Sequence, residues 1–108
     1  MRVELLWWEG CPSHPQALAE LRDALRDEGV PEEALEVRHI ATQAEAEAAG
    51  FPGSPTIRVD GEDVAPPGPG EPAGLTCRVY HLRDGRVSPV PDPADVREKL
   101  RRVKENAA

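Results

Sequence analysis

The sequence predicts an α/β fold: a mixed four-stranded sheet with helices on both faces. Three observations predict it. The chain opens with an apolar strand, a long amphipathic helix and a second short strand, a βαβ order that implies parallel pairing through a right-handed crossover. Asp60-Gly61 between two strand-like runs is a hairpin signal, which adds antiparallel pairing. A capped amphipathic helix then closes the chain. A Pro/Gly-rich loop and a further hairpin are inserted before that helix, at about residues 65–91.

Arg2 to Trp8 reads as the first strand. Its run Leu5-Leu6-Trp7-Trp8 suits a strand covered on both faces. Trp7 and Trp8 project to opposite faces, so one belongs to the core and the other is a candidate wall for the site that follows. Glu9-Gly10-Cys11-Pro12 breaks the run. A helix is expected from about Ser13 to Glu28, with Ala17, Leu18, Leu21, Ala24 and Leu25 on one stripe. Ser13 is its candidate N-cap, Pro15 suits the first turn, and Gly29 its C-terminal end.

Leu35 to Ile40 is the second strand. Thr42 caps a short helix rich in Ala and Glu that ends at Gly50, and Phe51 to Pro55 is a rigid connector. Thr56 to Asp60 is the third strand and Glu62 to Ala65 its return. Residues 66–73 form a Pro/Gly-rich loop. Leu75–Leu82 and Arg86–Val90 flank Asp84-Gly85 as the second hairpin. Asp92 caps the last helix, with Pro93 in its first position and Val96, Leu100 and Val103 on its apolar side.

The 108 residues carry 20 acids against 13 bases, a formal net charge of -7. One domain over 1–108 is expected at this length. An acidic surface argues against nucleic acid as a partner, because phosphate binding needs a basic patch. No stretch is long enough to span a membrane and no signal peptide is visible, so a cytoplasmic protein without a membrane partner is expected. Two cysteines do not make a disulfide scaffold. No Gly-rich phosphate loop, paired carboxylates or zinc-type cysteine cluster is present, and no cofactor is expected.

Cys11 is the candidate reactive residue. At the mouth of a helix, free backbone N–H groups and the helix dipole favour the thiolate, which is the nucleophile and the metal ligand. The plainer reading is a small buried hydrophobe. His14, three residues on, is a candidate proton acceptor, charge partner or second metal ligand, against an ordinary surface histidine. Glu9 would raise the Cys11 pKa. Arg58 and Arg78 read as solvated strand-face charges, and His39 as structural. Cys77 is either a half-buried strand cysteine or, if the loop before it returns, a neighbour of Cys11.

The run Trp7-Trp8-Glu9-Gly10-Cys11-Pro12-Ser13-His14 between strand and helix resembles the thioredoxin/glutaredoxin superfamily. Gly53-Ser54-Pro55-Thr56-Ile57-Arg58-Val59-Asp60-Gly61 resembles that superfamily's second signature. The resemblance implies a thioredoxin-like fold and a cis Ser54–Pro55 bond facing Cys11. It implies that Trp8, Pro12, Ser54 and Pro55 meet the substrate, with Ser54 offering its backbone to it. The implied partner is a small thiol or a disulfide-containing protein. His14 stands where the family has its resolving cysteine, so exchange within one Cys-x-x-Cys is impossible. The expected function is thiol–disulfide exchange by Cys11, with Cys77 as a distant resolving thiol.

Cys77-Arg78-Val79-Tyr80-His81, followed by a turn and a Pro-containing helix start, is also similar to the region around the second cysteine of organomercurial (alkylmercury) lyases. That likeness implies soft-metal binding by Cys11 and Cys77 jointly. These lyases carry an Asp where this chain has His14.

Overall fold

A computed structural model of the chain describes residues 1–106. Strand β1 (Val3–Trp7) leads into helix α1 (His14–Asp27). A single 3-10 turn at Glu32–Ala34 precedes β2 (Leu35–His39), and α2 spans Gln43–Ala49. Strands β3 (Thr56–Val59) and β4 (Glu62–Asp63) form the first hairpin. Strands β5 (Tyr80–His81) and β6 (Val87–Ser88) form a separate one, and α3 runs Pro93–Asn106.

The main sheet has the order β2-β1-β3-β4. Strand β1 pairs parallel with β2, Leu5 opposite Val37, and antiparallel with β3, Leu5 opposite Ile57. It is thus a central strand, as its continuous apolar run requires. Alternation along β1 sends Val3 and Leu5 to one face and Leu6 to the other. Val3 and Leu5 join a core with Leu21 and Leu25 of α1, Ile57 and Val59 of β3, and Val96 and Leu100 of α3. Leu6 packs with Ile40, Ala46 of α2 and Phe51. Helices α1 and α3 therefore cover one face and α2 the other.

Glu4, on the α2 side of β1, is only 4% exposed. Its carboxylate is held by Arg38 at 2.9 Å and Arg2 at 3.2 Å. A buried charge in a central strand is tolerable only when paired in this way.

The helix ends follow local chemistry. Thr42 Oγ1 accepts the N–H of Glu45 at 3.1 Å, while Glu45 reaches back to the Ala41 N–H at 2.8 Å. Gly50 closes α2 at φ +62, a left-handed value that glycine adopts without a Cβ penalty. Asp92 Oδ1 accepts the Ala94 N–H at 2.9 Å at the start of α3.

The insertion departs from expectation. The segments read as strands over 75–82 and 86–90 pair with each other at only two residues each. The reason lies earlier in the segment: Cys77 forms a bridge with Ser54. Backbone groups used there are not available to a hairpin. The return strand expected over Glu62–Ala65 is likewise two residues long, because Ala65 already serves the Arg78 side chain.

Candidate functional site

Cys11 lies in the turn between β1 and α1 and is 3% exposed. Its N–H donates to Trp8 O at 3.1 Å. The turn is tied to the loop before β3 by the Trp8 N–H, which donates to Ser54 Oγ at 3.0 Å. Trp8 is half-buried, packs toward Leu6 and Phe51, and lies directly over Gly10. A Cβ at Gly10 would sit 2.3 Å from the indole, so only glycine fits there. Pro12 is exposed at the mouth of the turn.

The Cys11 sulfur is 3.1 Å from Ser13 Oγ, and as a thiol it donates to Ser54 O at 3.5 Å. Ser13 occupies the N-cap position of α1 with near-helical dihedrals, φ -89 and ψ -2, rather than the extended ones that aim a capping oxygen at the helix N–H groups; it makes no capping bond, and its hydroxyl lies against the sulfur. The Ser54–Pro55 bond is cis.

Cys77 reaches the same place from the far end of the insertion. The Ser54 N–H donates to Thr76 O at 2.8 Å, and the Arg78 N–H donates to Ser54 O at 2.9 Å. Residues 76–78 thus form a strap along Ser54, with Cys77 opposite it. Gly53, at φ +140, lets the strap close. A Cβ there would lie 2.8 Å from Arg78 Cγ and 3.0 Å from Thr76 Cγ2. Of the two readings of Cys77, the structure realises the second: the thiol is exposed and neighbours Cys11.

Arg78 anchors the strap, and the expectation of a solvated charge is corrected. Its side chain is 8% exposed and pairs with Asp63 at 2.7 Å. It also donates to Ala65 O at 2.7 Å and Thr56 Oγ1 at 3.2 Å, and its guanidinium lies 4.5 Å from the centre of the Tyr80 ring. The Tyr80 hydroxyl donates to Pro55 O, and burial pushes its pKa up. Arg58, by contrast, is at the surface, donating to Gly50 O at 3.0 Å.

The two thiols are electrostatically unlike. Burial pushes the Cys11 thiol up, but the Cys77 thiol, the Ser13 hydroxyl and backbone, and the Ser54 hydroxyl donate toward the sulfur and hold it below its ordinary value. Cys77 is pushed up to about 11, first by its hydrogen bond to Cys11, then by burial and by the neighbouring negative charge. Of the two, Cys11 is therefore the thiol that gives up its proton first. Glu9, expected to oppose this thiolate, lies elsewhere: its exposed carboxylate is 3.9 Å from His39 Nε2.

His14 is close to Cys11 through the backbone. Its Nδ1 is 3.3 Å from Cys11 O, and its ring stacks on Trp7 with centroids 4.1 Å apart. Trp7 stacks with His39 as well, at 4.4 Å. The groups at the sulfur are Ser13, Ser54 and Cys77 instead. Among the described residues no group of three or more His, Cys, Asp or Glu side chains is placed to hold a metal ion, and no helix is long and apolar enough to cross a membrane.

Sequence reasoning singled out Cys11, Ser54, Pro55 and Cys77, and these converge. It missed Ser13 as a sulfur ligand of hydrogen bonds, and Arg78, Asp63 and Tyr80 as the anchor of the strap. The one available signal was Gly53 ahead of Ser54-Pro55, a glycine where something must pass closely. Compared with protein-family models, with curated proteins and with solved structures, the chain matches none.

Proposed function

We propose that the chain is a thioredoxin-like thiol protein whose working pair for thiol–disulfide exchange is Cys11 and Cys77. The observation that carries this reading is the meeting of the two cysteines at Ser54, which bridges to Cys77 and whose carbonyl oxygen lies 3.5 Å from the Cys11 sulfur, with Cys11 lowered and Cys77 raised from the ordinary thiol value. A thiolate beside a second thiol is the arrangement that closes a mixed disulfide into an internal one. The sheet order, the position of Cys11 between β1 and α1, and the Ser54–Pro55 loop facing it support the thioredoxin-like assignment. In the exchange, one thiol of the pair opens the partner's disulfide to a mixed disulfide and releases half of it as a thiolate; the other thiol of the pair then attacks the protein sulfur of that mixed disulfide, the bond to the partner breaks, and the second half leaves as a thiolate. The proposed partner is a small thiol or a disulfide-containing protein.

Hydroxyethyl disulfide tests the pair. The wild type is expected to lose both free thiols and two hydrogens of mass, whereas Cys11→Ser and Cys77→Ser each end as a mixed disulfide. Two mixed disulfides on the wild type, with no internal bond, would overturn the reading.

The same neighbouring of sulfurs favours a second reading, capture of a soft two-coordinate ion by Cys11 and Cys77. With no third ligand placed among the described residues, a linear ion such as Hg(II) or Cu(I) fits better than zinc. Stoichiometric uptake abolished by either Cys→Ser variant is its signature. Uptake unaffected by both would exclude it.

A further inference from the structure

The two sulfurs differ in access. Cys11 is 3% exposed, while Cys77 is exposed. A groove of about 560 Å3 opens beside the strap, and its lining includes Cys77, Val79, His81 and the prolines Pro66, Pro67 and Pro72, but not Cys11. That volume lies within the range of small-molecule sites, roughly 300–1,000 Å3.

The groove is poorly suited to an extended polypeptide. Strand addition requires free backbone N–H and C=O groups at the edge. Those of Ser54, which the family resemblance would offer to a substrate, are already bonded to Thr76 and Arg78 of the same chain. The proline rim has no N–H to offer in their place.

We infer that the pair meets its partner through Cys77: a small thiol enters the groove and attacks Cys77 Sγ, and Cys11 is the internal leaving group that never contacts the partner. This rests on the Cys11–Cys77 pair proposed above. In the internal disulfide, a small thiolate RS⁻ attacks Cys77 Sγ and the Sγ–Sγ bond breaks. The electron pair leaves on Cys11 Sγ, where the hydroxyls of Ser13 and Ser54 receive the charge. A second RS⁻ attacks the R-bearing sulfur of the mixed disulfide, forming RSSR and releasing Cys77, which takes a proton from water. Two thiols are oxidised and one protein disulfide is reduced. A small disulfide of the same class restores the protein by the reverse path. The geometry also favours the direction of cleavage, since the better-stabilised thiolate leaves faster.

The test has two arms. Oxidised wild type is treated with limiting β-mercaptoethanol, acid-quenched and mapped by mass spectrometry; the adduct is expected on Cys77 in about tenfold excess over Cys11. Separately, hydroxyethyl disulfide is reacted with Cys11→Ser and Cys77→Ser, with thiolate fractions taken from the pH dependence. Per thiolate, Cys77 is expected to react about tenfold faster than buried Cys11. Adduct on Cys11, or equal per-thiolate rates, overturns the inference while leaving the pair intact. Failure of the wild type to form an internal disulfide at all removes the pair, and this inference with it.

Discussion

Replacing Arg78 with Met keeps most of the aliphatic stem and removes the charge and the donors. In the structure that charge is paired with Asp63 at 2.7 Å, and the two side chains are 8% and 11% exposed. Removing one member of a buried pair leaves the other uncompensated, at a cost of about 3–5 kcal/mol. Asp63 keeps one backbone donor, the Ala65 N–H at 2.9 Å. The lower end, about 3 kcal/mol, is therefore expected. Against a typical domain stability of about 5–15 kcal/mol this is a large fraction. Equilibrium urea unfolding at neutral pH, followed by circular dichroism, reads it as a shifted midpoint at constant slope. The double variant Arg78→Met/Asp63→Leu removes the orphaned carboxylate and is expected to recover at least half of the loss. A loss below about 0.5 kcal/mol in the single variant, the size of an ordinary surface change, would refute the view that this pair anchors the strap.

Four further outcomes follow from the same geometry. Cys77→Ala removes the foremost donor to the Cys11 thiolate, so the ultraviolet thiolate titration of Cys11 should move to higher pH; an unmoved midpoint would mean that the two thiols do not share a proton. Gly53→Ala places a Cβ 2.8 Å from Arg78 Cγ at a φ that disfavours side chains, so the strap should lift and internal disulfide formation should slow, which a quenched time course of free thiols will show. Leu100→Ala opens the core shared by α1, α3 and the sheet and should cost about 2–5 kcal/mol in the urea assay. Asp92→Ala should cost about 1 kcal/mol at neutral pH as a lost cap. The N–H groups of Arg83 and Ala94 hold the Asp92 carboxyl below its ordinary value, so its stabilisation is present above the unfolded carboxyl pKa and fades as pH falls through the lowered native one. The wild-type and variant stability curves should therefore converge in acid.

Much of the fold was legible because its signals are short. The apolar run of β1, the stripe of α1, the Thr42 and Asp92 caps, Gly50 and the Asp60-Gly61 turn each lie within a few residues, and each element formed where they indicate. The insertion was less legible for the same reason in reverse. Nothing local to Leu75–Leu82 says that Thr76–Arg78 will pair with Ser54 and leave only Tyr80 and His81 for a hairpin. Arg78 looks like any exposed strand charge until Asp63, Ala65 and Thr56 surround it. Ser13 looks like an N-cap because nothing in its neighbouring residues announces its near-helical backbone or the turn of its hydroxyl toward the Cys11 sulfur.

By itself the sequence determined the order of strands and helices and the placing of Cys11 between β1 and α1, since periodicity, caps and turns are written in neighbouring residues. Only the tertiary structure decided what Cys11 faces. The cost of closing a loop rises slowly with its length, so spacing along the chain carries little information about which distant segment returns. Packing of the strap, through Gly53, Arg78 and Asp63, brings Cys77 to Cys11 and leaves one sulfur buried and the other open to the groove.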